Sequence, residues 1–144
     1  MSQPSITIIQ IEDDYGFNLL FNIRTRVFVE EISLQDEDDY DGFDHLAMHY
    51  LASYENEAVG TGRIRIQPVS GRVKLERIAV LPAFRDKGIG TALVKKMIAD
   101  VPDAKHIYLH SLKETIGFFE KMGFVQDGEP FEEAGRMQAR MTLD

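Results

Sequence analysis

The sequence has 144 residues, of which 44% are hydrophobic and 28% charged, as in an ordinary globular domain. A formal net charge of −8 argues against nucleic acid or an anionic membrane surface as the main partner. The absence of cysteine excludes disulfides, thiolate metal ligands and a cysteine acyl-enzyme. No apolar run approaches the roughly 20 residues that span a bilayer, and the N-terminus has no signal-peptide pattern. We therefore expect one cytoplasmic domain covering residues 1–144, with no membrane partner.

The first half of the chain predicts one strand, one helix and then an antiparallel meander. Residues 5–11, SITIIQI, are rich in β-branched side chains and indicate a strand. Over residues 14–28 apolar side chains recur at three- and four-residue steps, which indicates a helix capped by Asp13 or Asp14. Residues 33–44 are polar and acidic and indicate a loop. The stretches LAMHYLASY, AVGTGRIRIQ and RVKLERIAV follow as three strands, the first two joined as a hairpin.

After the third of these strands the pattern changes to alternating helices and strands. It predicts a helix over about residues 87–100, the short strand HIYLH, a helix over about 113–122 and a last strand in RMQARMTL. No internal repeat or linker interrupts the sequence. The order β-α-β-β-β-α-β-α-β predicts the α/β (α+β) class, in which a mixed sheet has helices on its faces.

The residues RDKGIG, 85–90, lie where the strand RVKLERIAV gives way to the next helix. A helix start leaves backbone N–H groups without intrahelical acceptors and has a partial positive charge. The two glycines leave that backbone open to a ligand, and the arginine and lysine add positive charge. These features predict a site for an anion such as a pyrophosphate. A dinucleotide fingerprint requires a third glycine where Leu93 stands, and a Walker A loop requires GK[ST], so neither nucleotide motif is present.

The R-x-x-G-x-G spacing, after a strand ending in AV and a proline, resembles the acetyl-CoA-binding motif of the GNAT family of N-acetyltransferases. The stretch IGFFEKMGF, residues 116–124, is similar to the second signature of that family, in which a helix runs into a strand. The element order agrees over essentially the whole chain. The resemblance implies a GNAT-like fold, with a mixed, mostly antiparallel central sheet, helices on both faces, and a splay after the fourth strand. It also implies acetyl-CoA as co-substrate, without a metal.

The resemblance assigns the coenzyme to backbone atoms around the splay. The fourth strand is expected to pair with the pantetheine arm through Ile78, Ala79 and Val80, by strand addition. The Val80 N–H is expected to stabilise the oxyanion that forms from the thioester carbonyl. The pyrophosphate is expected at the helix start, and the second signature adds two aromatic residues to the same site. These further coenzyme residues are Arg85, Asp86, Lys87, Gly88, Ile89, Gly90, Thr91, Phe118 and Phe119.

Direct transfer to an amine needs a proton acceptor, because an alkylammonium with a pKa near 10.4 is not a nucleophile. Glu76 is the first candidate base, since strand alternation places it on the same face as Ile78, two residues later. The alternative for Glu76 is a carboxylate that is paired with a neighbouring arginine. His110 is the second candidate base. The other three histidines are expected to be structural or exposed.

The thiolate that leaves usually receives its proton from a tyrosine of the second signature in this family, and Phe119 stands at that position. Either solvent or another tyrosine, such as Tyr108, then supplies the proton, or the catalytic rate is low. Free thiols have a pKa near 8.5, so water can serve as the donor.

The stretches IRTRVFVEEISLQDEDDYDGFDHLAMHYLA and GEPFEEAGRMQARM also resemble a bacterial subgroup of small acetyltransferases. Members of that subgroup often have a histidine base where this chain has Gln138, which cannot act as a base. Arg24, Arg26 and Glu30 are expected either to line the acceptor pocket or to form ion pairs at the helix end.

The acidic residues 37–48, EDDYDGFDHLAM, imitate the start of a calcium-binding loop. Met48 stands where such a loop requires a bidentate glutamate, so no metal is expected. The segment is either a solvated run of charge or an electrostatic attractor for a cationic acceptor.

We therefore predict an N-acetyltransferase that moves acetyl from acetyl-CoA directly to a primary amine of a small molecule or a peptide. The alternative is a non-catalytic acyl-CoA-binding module, which Phe119 and Gln138 keep open. Homodimers are common in the GNAT family that this sequence resembles, but no pattern in the sequence specifies an interface.

Overall fold

A computed structural model describes residues 5–35, 39 and 41–143. Eight strands form one sheet, and helices lie against it. The strands are β1 Ile6–Ile11, β2 Met48–Tyr54, β3 Glu57–Ile66, β4 Val73–Val80, β5 Ile107–Leu112, β6 Val125–Gln126, β7 Phe131–Glu133 and β8 Arg136–Leu143. The α-helices of the described residues are α1 Asp14–Arg24, α2 Ile89–Ala99 and α3 Ile116–Lys121. No helix in these ranges is long and apolar enough to cross a membrane.

The sheet runs in the order β1-β2-β3-β4-β5-β8-β6, and β7 also pairs with β8. Every pairing is antiparallel except that of β4 with β5, which is parallel. This confirms the predicted mixed, mostly antiparallel sheet. Strands β6 and β7 were not predicted, because two and three residues are too few to show an alternating pattern.

Strands β4 and β5 separate soon after they meet. They share three residue pairs, which end at Leu75 and Leu109. Beyond Leu109, β5 continues to pair with β8, while the last five residues of β4 have only β3 beside them. The predicted splay after the fourth strand is therefore present, and it leaves one backbone edge of β4 open.

Helices cover both faces of the sheet, as expected. On one face, α2 and α3 bury an apolar cluster that includes Leu93, Met97 and Phe119. On the other face, α1 packs Leu20 and Ile23 against β2 and β4. Apolar residues on two sides of one sheet are removed from water in this way, which is the main favourable term in folding.

The first helix differs from its prediction at its C-terminal end. Asp13 caps its start, since the carboxylate accepts a hydrogen bond from the Gly16 N–H at 2.7 Å. After Arg24 the chain continues as a π-helix over Thr25–Glu31, so the helical region extends beyond the predicted residue 28. π-Helical segments are rare, and many of those that are known lie at functional sites. Here the segment brings Glu31 toward the open edge of β4.

A β-bulge in β4 overturns the prediction that Glu76 and Ile78 share a face. Arg63 pairs with Glu76 and Thr61 with Ala79, so two residues of β4 oppose one of β3. Arg77 takes the extra position with a φ of 53°, an unfavourable left-handed conformation for arginine. The bulge reverses the alternation. Glu76 therefore lies on the α1 side, whereas Ile78 packs with the cluster under α2.

Candidate active site

The open edge of β4 presents backbone hydrogen-bonding groups toward the splay. The Leu81 N–H donates to the Val59 carbonyl of β3 at 2.8 Å. Because successive backbone groups of a strand point to opposite edges, the N–H and C=O of Val80 point away from β3. An extended ligand that entered the splay would therefore meet the Val80 N–H, whose contact with the coenzyme stays a prediction.

The glycine-containing turn after β4 ends in an open helix start. Gly88 is the N-cap of α2 with a φ of 84°, and no side chain caps the helix. The first intrahelical bond runs from the Ala92 N–H to the Gly88 carbonyl, so the amides before Ala92 precede the helical ladder. No other residue lies within 4 Å of a Cβ built on Gly88, whereas a Cβ on Gly90 would lie 3.2 Å from the Phe118 ring. Gly88 thus fits a backbone site for an anion, and Gly90 also permits helix packing.

Arg85 makes contacts that the sequence did not predict. Its guanidinium forms a two-pronged ion pair with Glu31, at 2.7 and 2.8 Å, and its Nε donates to the Val80 carbonyl at 2.9 Å. The hydrogen bond from Arg85 lowers the pKa of Glu31, and the same bond raises the pKa of Arg85. The arginine therefore joins the π-helix to the end of β4. Its predicted contribution to pyrophosphate binding stays a prediction, as does that of Lys87, whose ammonium lies 5.5 Å from the Tyr54 ring centroid.

A groove of about 490 Å³ lies between α2 and α3, beside the open helix start. It has an apolar floor and two lysines, and its lining residues are Thr91, Lys95, Ile98, Ala99, Phe118, Lys121 and Met122. The two aromatic residues of the second signature, Phe118 and Phe119, lie in different environments. Phe118 faces the groove, whereas Phe119 is 6% exposed and packs edge-on against Phe118 and Phe124. The Phe119 side chain therefore belongs to the core.

Glu76 lies in a strongly cationic environment. Its carboxylate accepts hydrogen bonds from Arg63 and from Arg65, the latter at 2.8 Å, and Lys74 lies 3.3 Å away. Burial by itself raises the pKa of Glu76, but these cations, Arg63 above all, hold the pKa below its usual value. A carboxylate stabilised in this way is a weak proton acceptor. The arrangement matches the alternative that Glu76 is paired with a neighbouring arginine, while its role as base stays a prediction.

His110 lies on β5 at the splay, on the α1 side of the sheet. Its Nδ1 is 3.2 Å from a carboxylate oxygen of Glu133, and its ring packs edge-on against Phe131 at 4.8 Å between centroids. The contact with Glu133 has the length of a hydrogen bond but is not linear. Burial, followed by the charge of Lys74, lowers the pKa of His110, although Glu133 opposes the shift. The imidazole is therefore neutral at pH 7 and able to accept a proton.

Tyr108 precedes the splay, in the part of β5 that still pairs with β4. Its hydroxyl accepts a hydrogen bond from Gln67 at 2.7 Å, and Arg140 stacks over its ring at 4.3 Å. Because the hydroxyl is the acceptor in this bond, its own hydrogen is not used in it. The role of Tyr108 as proton donor to the thiolate stays a prediction. Gln138 lies on β8 opposite Leu112, where its side-chain amide donates to the Glu133 carbonyl at 3.0 Å.

The sequence profile described as the acetyltransferase (GNAT) family matches residues 17–124, which is three quarters of the chain. The chain belongs to the GNAT acetyltransferase family. The Bacillus subtilis protein YyaT is 33% identical over 144 residues, which cover 96% of each chain. The crystal structure of Escherichia coli ElaA shares the fold with a TM-score of 0.83 at 23% identity, covering 99% of this chain and all of ElaA. A GNAT-family acetyltransferase from Elizabethkingia anophelis, solved with acetyl-CoA bound, has a TM-score of 0.68 at 21% identity and covers 96% and 97% of the two chains.

On the α1 side of this GNAT sheet, the acidic segment is tied to buried arginines. Asp39 lies 3.1 Å from the Arg24 Nε, Asp44 lies 2.7 Å from another nitrogen of Arg24, and Asp41 lies 2.8 Å from Arg63. Burial by itself raises the pKa of Asp41, but its hydrogen bonds to Arg63 and to backbone outweigh burial and lower it strongly. These described carboxylates are paired with arginines and are buried or half-buried, so they do not form a solvated run of charge, and attraction of a cationic acceptor stays a prediction. Residues 36–38 and 40 of the predicted loop lie outside the described residues.

Several residues of this GNAT site escaped the sequence reasoning because their partners are distant in the chain. Glu31 meets Arg85 across 54 positions, and Glu133 approaches His110 from a strand that was not predicted. Arg24 was expected either in the acceptor pocket or in an ion pair, and the structure shows the ion pair. The acidic residues after the first helix were a usable signal, since buried arginines require carboxylate partners.

Proposed function

We propose that this chain is a cytoplasmic N-acetyltransferase that moves the acetyl group of acetyl-CoA directly to a primary amine. One observation carries the proposal: the open edge of β4 at residues 78–80 lies next to an uncapped, glycine-containing helix start. This arrangement fits a ligand with an extended amide chain and a pyrophosphate at one end. The acetyl-CoA bound to the Elizabethkingia anophelis protein of the same family supports the choice of ligand.

Each part of the coenzyme then has a place among residues of this chain. Backbone groups of Ile78 and Val80 would pair with the pantetheine arm, and the amides of residues 85–91 would hold the pyrophosphate. The prediction that Ala79 also pairs with the coenzyme is wrong, because its N–H and C=O are directed to Thr61 of β3. The groove between α2 and α3, with Lys95 and Lys121, would take the adenosine end. Acetyl-CoA supplies an activated acetyl thioester. The Val80 N–H points to the open edge and is the donor for negative charge that develops on the acetyl oxygen.

His110 is the base that the geometry supports best. Its neutral imidazole lies at the splay, and Glu133 is close enough to stabilise the imidazolium that forms when the amine proton arrives. Glu76, by contrast, would position the β4 bulge through its contact with Arg63. Because the Phe119 ring has no acidic proton, the proton for the thiolate would come from solvent or from Tyr108.

A second candidate function is a non-catalytic acyl-CoA-binding module. Phe119 favours it, since this residue replaces the usual acid of the family and its ring is buried. The module would use the same open edge and helix start but would not need His110.

Two measurements on the purified protein separate these functions. Calorimetric titration with acetyl-CoA tests the pocket, and we expect saturable binding at one site per chain. Release of free thiol from acetyl-CoA, with and without a panel of primary amines, tests transfer. Amine-dependent release supports the acetyltransferase, whereas binding without release across the panel supports the module. An absence of binding refutes both.

A further inference from the structure

The face of the sheet beside the splay contains several cationic side chains. Arg63, Arg65 and Lys74 all lie against the Glu76 carboxylate, and Arg63 also pairs with Asp41 and Asp44. Positive side chains therefore line this face of the sheet close to the splay, although the whole chain is acidic.

Arg136 crosses the mouth of the same region. It is the first residue of β8 and follows the tight turn at Ala134 and Gly135, both of which have a positive φ. Its guanidinium donates a hydrogen bond at 3.1 Å to the carbonyl of Ile32, the residue directly after the π-helix. Arg136 therefore connects the β7–β8 hairpin to the end of the π-helix, 104 positions away in sequence.

Both ends of this connection adjoin the proposed reaction centre. On the π-helix side, Glu31 precedes Ile32 and pairs with Arg85, which bonds to the Val80 carbonyl. On the hairpin side, β7 contributes Phe131 and Glu133, which contact His110. An acceptor between the Val80 backbone and His110 would thus have Arg136 close by.

The Arg136 guanidinium has bonding capacity to spare. A guanidinium presents five N–H donors, and the Ile32 carbonyl takes one without neutralising the charge. Within residues 5–35, 39 and 41–143, no carboxylate forms an ion pair with Arg136. A planar fork of donors that is partly buried and has no counter-ion matches a carboxylate with two oxygens.

We propose that the acceptor is a small amine that also bears a carboxylate, as an amino acid does, and that Arg136 binds this carboxylate. The inference rests on the proposed transfer to an amine and narrows its acceptor class. Arg136 then determines specificity, since it holds the acceptor while His110 takes a proton from the amine. A peptide N-terminus, which lacks a carboxylate beside its amine, would be a poor acceptor.

The test compares each amino acid with the amine formed by its decarboxylation. Suitable pairs are phenylalanine with 2-phenylethylamine, leucine with 3-methylbutylamine, and lysine with cadaverine. We expect kcat/KM of the native protein to favour the amino acid in at least one pair by roughly 10-fold or more. Arg136→Gln keeps a donor for the Ile32 carbonyl but removes the charge, so the preference should fall by about 10-fold, as for loss of a charged hydrogen bond. Arg136→Lys should retain part of it.

Calorimetry on protein saturated with coenzyme A gives a readout that does not depend on turnover. The preferred amino acid should bind to the native protein and at least 10-fold more weakly to Arg136→Gln. Arg72→Gln removes the same charge at the start of β4, away from the splay, and should change neither the preference nor the binding. Equal use of both members of every pair, or an unchanged preference in Arg136→Gln, would overturn the role of Arg136. Failure to release thiol with any amine would instead refute the proposed function, and the calorimetric comparison would still decide on Arg136.

Discussion

The two halves of the candidate site are built differently. The proposed coenzyme half consists of backbone groups of residues 78–91, close together in sequence, whose exposure depends on a splay and two glycines. The proposed acceptor half consists of charged side chains that α1, β3, β4, β5, β8 and the π-helix bring together. A site made from backbone tolerates changes of side chain but not of chain geometry, whereas a site made from charges depends on each partner.

The largest effect is expected in the acceptor half, on removal of Arg24. Arg24→Leu should lower the free energy of unfolding by about 3–5 kcal/mol, because it leaves the fully buried Asp39 with a weakened set of partners. Urea unfolding measures the loss. Arg26→Leu, an exposed arginine two positions later, should change stability by no more than about 0.5 kcal/mol.

The double variant Arg24→Leu/Asp39→Leu tests the cause of that loss. If the unpaired carboxylate is responsible, the double variant should be more stable than the sum of the two single changes predicts. Strict additivity, or a loss below about 1 kcal/mol in Arg24→Leu, would show that the network contributes little and would remove the contrast between the halves.

In the coenzyme half, the largest effect is expected at Gly88. Gly88→Val should weaken acetyl-CoA binding roughly 300-fold, equal to about 3.4 kcal/mol, because a side chain would occupy the open space over the helix start. Calorimetric titration measures this change. Gly71→Val is the matched control, since Gly71 also has a positive φ and free space but lies in the β3–β4 turn.

Both glycine variants should lose similar stability, about 1–2 kcal/mol, from a left-handed residue that is no longer glycine. Only Gly88→Val should lose the coenzyme. If the two variants bind acetyl-CoA equally well, the helix start is not the pyrophosphate site.

The same contrast explains what the sequence could predict. The strand, turn and helix of residues 72–100 produce local patterns, which predicted these elements and carried the family resemblance. The resemblance in turn implied the splay, and both the fold class and the splay are confirmed. The bulge at Arg77 gives no such pattern, because in the sequence an arginine that adopts a positive φ cannot be distinguished from any other strand residue. The prediction of the sheet face on which Glu76 lies was therefore wrong. The contact of Arg136 with Ile32 depends on tertiary packing that no local pattern contains.

His110 allows the proton chemistry of the acceptor half to be tested by pH. His110→Gln should lower kcat/KM about 100-fold at pH 7.5, equal to about 2.7 kcal/mol, within the range for loss of a general base. The pKa of His110 lies below its usual value of about 6.5, so kcat/KM of the native protein should rise with pH in the range below 6.5. This rise, the acidic limb of the pH profile, should be absent in His110→Gln.

Two further variants distinguish the candidate bases. Glu76→Gln should keep the acidic limb and should mainly lose stability, since Arg63 and Lys74 would lose a partner. His106→Gln, at an exposed histidine just before β5, should match the native profile. An acidic limb that disappears in Glu76→Gln and persists in His110→Gln would reverse the assignment.

The smallest effect concerns the pair that connects the two halves, Glu31 and Arg85. Both side chains are partly exposed, so the pair contributes no more than about 1 kcal/mol to stability. Glu31→Gln removes a carboxylate of the acceptor half that lies beside the coenzyme half, and releases the Arg85 guanidinium toward the proposed pyrophosphate site. We therefore expect acetyl-CoA to bind about threefold more tightly at low salt, with a smaller gain at high salt because the charges are screened.

Glu30→Gln removes the same charge one position earlier and controls for the effect of net charge. An equal gain in both variants would assign the effect to net charge alone. Weaker binding of acetyl-CoA to Glu31→Gln would mean that Glu31 holds Arg85 in place and that Arg85 in turn holds the Val80 backbone. The coenzyme half would then depend on a side chain of the acceptor half.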